Sequence, residues 1–180
     1  MASSIAEDVR DRLAANLTIQ AMWPGGVYVE HDPSAVAAGA TSPWDEKGGY
    51  IHPLDPKLTP GAWESVGASG VKRLRPCAVL GESSTVPTGP RNRHDAITIR
   101  LGMYQEAGFT AIRDGLAIAR AILHETHGQL TEGQYADRYY WIEFLDIPLQ
   151  GQEEPSLPTA DGRRGASYEL ARFTALMEVS

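Results

Sequence analysis

His124-Glu125-Thr126-His127 is the run in this chain whose residue types most suggest chemistry, because two imidazoles and a glutamate are the parts of a zinc-hydrolase helix. That chemistry needs histidines at i and i+4, so that both rings reach one metal, and a glutamate beside the first. Here the spacing is i+3 and no third ligand accompanies them. The run reads instead as two histidines placed at the negative end of a helix. His31-Asp32 and His94-Asp95 each set an imidazole beside a carboxylate, the pairing of a general base with its orienting group. Neighbours on a strand face opposite sides, so neither pair shares a proton outside a turn, and both read as solvated turn residues. Cys77 lies in Cys-Ala-Val-Leu with no adjacent base, which reads as a buried and inert thiol. Gly81-Glu82-Ser83-Ser84 lacks the Gly-Lys-Ser/Thr ending of a phosphate loop, and its glutamate repels phosphate. The expectation is no catalytic residue, no cofactor and no metal. An enzyme reading requires the fold to bring His31, His94 and a carboxylate into one pocket.

The aromatic residues point toward contact rather than catalysis. Tyr139, Tyr140, Trp141 and Phe144 crowd one segment, and Trp44, Tyr50 and Trp63 lie in a stretch with little else to pack. Such residues anchor interfaces, though they dominate cores as well. The candidate interface residues are Trp44, Tyr50, Trp63, Tyr139 and Trp141.

The elements that position them follow from periodicity. Ile5, Val9, Leu13 and Leu17 recur every fourth residue, and Ser4 with Glu7 forms a capping box, so 4–17 is expected to be one helix. Pro24-Gly25-Gly26 breaks the chain before a short strand at Val27-Tyr28-Val29. Residues 32–73 hold five prolines and six glycines without a sustained period, and read as an irregular arm or insertion that docks on something. Strands are expected at 75–82 and around Ile97, Ile99, Leu101 and Met103, which alternate with polar residues. Phe109, Ile112, Leu116, Ala119 and Leu123 trace the buried face of a second helix running to His127, with Gly128 as its stop. A strand over 139–147, a polar connection over 148–165 and a final strand complete the chain. The fold class expected is α+β, an antiparallel sheet of about four to five strands with two main helices on one face, plus the long arm.

Composition excludes several roles. The 180 residues suggest a single domain, and 16 Lys+Arg against 23 Asp+Glu leave a net charge of −7. That balance opposes phosphate-led nucleic-acid binding, which needs clustered cations. One cysteine forms no internal disulfide. The first residues lack the basic and apolar regions of a signal peptide, and no apolar stretch is long enough for a membrane helix.

Several of these stretches together resemble the tail terminator (tail completion) proteins of long-tailed bacteriophages. They are the short helix Ile5 to Leu13 leading through Pro24-Gly25-Gly26 into Val27-Tyr28-Val29, and the strand Arg75-Pro76-Cys77-Ala78-Val79-Leu80. The strand Ala96 to Tyr104 then runs into the helix Phe109 to His127, and an aromatic strand and a last strand, Tyr168 to Val179, follow. The likeness covers roughly 4–31 and 74–179 and leaves 32–73 without a counterpart. It implies a structural virion protein at the tail–neck junction, assembled in the host cytoplasm. The subunit forms a ring, typically a hexamer, that stops tube growth and offers a docking surface to the neck. Its partners would be copies of itself, the tail tube protein and a neck or head-completion protein, with no membrane. DNA would pass through the lumen without specific binding, and like charge disfavours its adsorption. A head-completion or neck-adaptor ring is the sibling reading.

Overall fold

A computed structural model of the chain describes residues 4–30, 52–67, 70–84, 94–133, 135–160, 162 and 165–178. The first helix, α1 (Ile5–Ala14), starts at the expected capping box: Ser4 Oγ accepts from the Glu7 N–H, and the Glu7 carboxylate accepts from the Ser4 N–H. Two of the orphan donors at the helix start are thereby satisfied. Ile5, Val9 and Leu13 are buried, but Leu17 is 79% exposed. The helix therefore does not continue to 17 as expected. Asn16 Oδ1 accepts from the Thr18 and Ile19 N–H groups at 3.0 and 3.1 Å, ending one helix and capping the next, α2 (Leu17–Met22).

Six strands form the main sheet: β1 (Val27–Val29), β4 (Cys77–Ser84), β5 (His94–Gln105), β6 (Thr126–Gln129), β7 (Tyr139–Glu154) and β8 (Ala166–Glu178). A separate antiparallel hairpin pairs β2 (Trp63–Val66) with β3 (Val71–Leu74). The order in the main sheet is β1-β4-β5-β8-β7-β6. The class is α+β as expected, but the sheet has six strands and is not wholly antiparallel, because β1 runs parallel to β4. The connection between those two strands is long enough for the crossover that a parallel pair needs.

The sheet's two faces carry alternate residues. Leu80, Leu101, Phe173 and Ile142 point to one face, where α1, α2 and α3 (Thr110–Leu123) cover them with Ile5, Leu13, Ile19 and Leu116 in one continuous core. Trp23 fixes the helices to each other: its indole N–H donates to the Ala111 carbonyl at 3.1 Å, and its ring occupies the space a side chain at Gly115 would need. α3 begins without a polar residue at its cap. Gln105, at the end of β5, takes over that role, with its carbonyl accepting from the Ile112 N–H at 3.1 Å. α3 ends at Leu123, short of the expected His127, because His124 is extended and Glu125 takes φ 56°. His127 and Gly128 therefore lie on β6 rather than at the helix end. The Tyr140 ring fills the space above Gly128, and its hydroxyl donates to the Asp8 carboxylate of α1.

β7 also departs from expectation. It continues through 148–154, which read as polar connection, and its register against β8 shifts three times between Phe144 and Gln152. Pro148 falls within one of those irregularities, where a missing N–H costs no ladder bond. Glu169 holds this stretch in place. Its buried carboxylate accepts from the Arg113 side chain at 2.8 and 3.1 Å and from the Gly151 N–H at 3.2 Å.

Candidate assembly surface

Among the described residues, the sheet face away from the helices is covered at one end only. There the stretch read as an irregular arm is corrected in part: residues 32–51 lie outside the described residues, but 60–73 include a 3-10 turn (Pro60–Ala62) and the β2–β3 hairpin. This second cluster packs Leu54, Ala62, Trp63, Leu74 and Leu157 against Cys77, Val79, Tyr104 and Ala166 of the sheet. Trp63 is its centre. The residue is 6% exposed, and its indole N–H donates to the Leu54 carbonyl at 2.7 Å. Expected as an interface anchor, Trp63 is instead spent inside the subunit, because a short hairpin with few apolar residues needs a large side chain to close its core.

A polar and aromatic group borders the cluster. Tyr104 stacks on Tyr168 with ring centroids 4.7 Å apart, and the His52 ring meets Tyr104 edge-on at 5.3 Å. Gly102 makes the first contact possible, since a Cβ there would come within 3.1 Å of the Tyr104 ring. His52 Nδ1 accepts from the Leu54 N–H at 3.1 Å, which puts the neutral ring's proton on Nε2. Burial pushes the Tyr104 and Tyr168 hydroxyls up from their usual value and His52 down, while Glu154, Glu30 and Asp55 partly oppose the shift at His52. Burial also raises the Cys77 thiol far above the reactive range, as its sequence context suggested. Phenols and a thiol raised in this way are poor acids near neutrality. Their arrangement is that of a packed lid on the sheet.

Beyond this lid the same face lies bare among the described residues. Trp141 sits opposite Leu176 across the β7–β8 ladder, and Leu149 opposite Leu170. Leu145, Leu149, Leu176 and Tyr139 are all exposed. Two ion pairs interrupt the apolar surface: Arg172 makes a double hydrogen bond with Asp146, and Arg100 reaches Glu30 at 2.9 Å. The Arg172 guanidinium holds Asp146 below the usual carboxylate range. The outer edge of β7 is open as well. β6 pairs only with Tyr139, Tyr140, Trp141 and Ile142, so from Leu145 onward no described strand pairs on that side. An open edge with exposed leucines is a template for another strand.

The residues singled out in the sequence fall into three groups. Trp44, Tyr50 and His31 lie outside the described residues, as does the side chain of His94. Trp63 is interior. Tyr139 and Trp141 do lie on the bare surface, where Trp141 meets the His127 ring at 4.5 Å and donates its indole N–H to Glu143 at 3.0 Å. His124 is not paired with His127; its Nδ1 accepts from the Phe144 N–H at 3.1 Å. Among the described residues no three His, Cys, Asp or Glu converge as metal ligands would. No described helix is long and apolar enough to cross a membrane. Sequence reading missed Leu145, Leu149 and Leu176. Leu149 fell in 148–165, which read as a polar connection. No family model matches the chain, and no curated protein matches it.

Proposed function

We propose that this chain is a structural virion protein of the tail terminator kind. Copies of it form a ring at the head-proximal end of a phage tail tube, end tube growth and join the tail to the neck. The observation that supports this best is the β7–β8 ribbon, whose open outer edge and exposed Leu145, Leu149 and Leu176 await a partner. An isolated subunit gains nothing from such an edge and risks aggregation by it; a ring satisfies it on every copy. The reading also rests on the resemblance carried by the sequence, from the short helix Ile5 to Leu13 through the closing strands. The net charge of −7 suits a lumen through which DNA slides.

Native mass spectrometry together with negative-stain imaging of isolated tail tubes tests the proposal. A closed ring that caps tube ends is the expected result. A strictly monomeric protein that leaves tubes growing overturns it, and a ring that binds neck protein but not tube ends replaces it with the neck-adaptor reading.

A further inference from the structure

Two parts of the subunit present open strand edges of opposite charge. The β2–β3 hairpin is a sheet of its own, and among the described residues neither of its outer edges pairs with another strand. A two-stranded sheet this short has little stability by itself. On β3, Val71 is 42% exposed, and Lys72 and Arg73 beside it are exposed as well. Lys57 is exposed on the turn that supplies Leu54 to the cluster beneath the hairpin. Lys57 and Lys72 make no ion pair among the described residues, and Arg73 reaches Glu64 only at 3.9 Å, with both side chains half exposed. The far stretch of β7 has the opposite character. From Leu145 onward its outer edge is open, Leu145 and Leu149 are exposed, and the strand ends on Gln152-Glu153-Glu154. These three residues pair in step with Tyr168, Ser167 and Ala166 after the last register shift, so the edge is regular there. Glu153 is exposed and makes no ion pair among the described residues.

We propose that the β2–β3 hairpin of one copy adds to the open β7 edge of the next, with Lys72 against Glu153 and with Val71 and Leu149 buried in the same contact. This rests on the assembly reading above and names the surface that fills its open edge. Each copy carries a net charge of −7, so copies repel unless their contact brings opposite signs together. The hairpin supplies the positive side of that contact. The arginines of the bare face do not, because Arg100 and Arg172 are already paired with Glu30 and Asp146. Backbone hydrogen bonds along an added strand give affinity, and the charges decide which strand is accepted. Hairpin and β7 edge are different surfaces of the chain, so the contact is head-to-tail. Such a contact repeats around a closed ring instead of ending at a dimer.

Charge reversal, read by native mass spectrometry at low ionic strength, tests the assignment. Lys72→Glu and Glu153→Lys should each lower the closed ring by about tenfold or more, because every interface then sets like charges together. The chain carrying both changes should recover the parent's ring, since each interface regains opposite signs. Both residues are exposed and unpaired, so the isolated subunit's melting temperature should stay unchanged in all three variants; a variant that melts lower than the parent assigns these residues to the fold and overturns the proposal. A ring undiminished by either single change overturns the hairpin contact and leaves the assembly reading standing. Loss in both single variants without recovery in the double also overturns the pairing. A parent chain that forms no ring overturns both readings.

Discussion

The two faces of the main sheet are built for different ends. The helix-covered face is closed from β4 to β7: three helices, an indole locked against Gly115 and a tyrosine reaching Asp8 leave no buried polar side-chain atom unpaired among the described residues. Among the described residues, the other face is closed at the hairpin end alone, by a cluster that hangs on Trp63, and is bare along β7 and β8. The first face holds the fold; the second carries the exposed apolar residues on which the proposed assembly rests.

The largest expected effect tests the first half of that contrast. Leu116 is 4% exposed on the buried side of α3, so Leu116→Asp places an unpaired charge in the helix-face core. Loss of the cooperative urea transition is expected, with circular dichroism showing a largely unfolded chain. A variant that melts within 1 kcal/mol of the parent, an allowance of roughly the average for any point change, contradicts a single tightly packed core.

Trp63→Ala comes next and asks whether the second cluster is a separate unit. Removing a buried indole costs about 3 kcal/mol where the surroundings cannot collapse. The loss should be local. Hydrogen exchange is expected to quicken in β2, β3 and the 52–62 segment while β5 and β8 stay protected. Uniform loss of protection across the sheet would mean that the two faces stand or fall together.

How far the sequence revealed this contrast depended on which face a residue serves. The helix face was legible because its signals are local: Ser4 with Glu7, the spacing of Ile112, Leu116 and Leu123, and the alternation of Ile97 to Met103 all survive in the structure. The errors share a different cause. Asn16 capped a second helix inside an apolar period that continued to Leu17, and Gln105 supplied α3's missing cap from another element. Trp63 read as an anchor because the cluster that encloses it also draws Tyr104, Leu157 and Ala166 from distant parts of the chain, which no local pattern shows. Register shifts let a strand pass through Pro148, which a local rule treats as an end. The bare surface followed from topology, since only the strand order reveals that β6 stops pairing at Ile142.

A smaller effect comes from pH. Burial holds His52 below its ordinary value of 6.5, so the unfolded chain takes up this proton before the folded one does. The stability due to neutral His52 is therefore fully present above about 6.5 and declines as pH falls through that value toward the lower folded one. Because protonating Nδ1 also breaks its bond from the Leu54 N–H, the loss should concentrate in the second cluster. Urea titrations between pH 7.5 and 5, a window set to bracket the ordinary histidine value, should show a slope that His52→Gln flattens. A slope unchanged by the substitution assigns it to other groups and removes His52 from the account.

The smallest effect on the isolated subunit is the most telling for function. Leu145 and Leu149 are 53% and 40% exposed on the open stretch of β7, and neither belongs to a buried cluster. Replacing both by serine removes little packing, so the monomer's urea midpoint should move by no more than about 0.5 kcal/mol per site. Assembly should respond differently. If β7 receives a neighbouring copy, its half-exposed leucines are desolvated there, and burying what remains of each is worth about 1 kcal/mol per contact. A ring repeats that contact at every interface, so a modest change per copy multiplies into loss of the closed species in native mass spectrometry. Rings that persist undiminished with both serines in place would show that β7 is not the contact, and would move the search to the Trp141–Leu176 surface beside it. A monomer destabilised as much as Trp63→Ala would make the bare face part of the fold after all, and the contrast between the two faces would lapse.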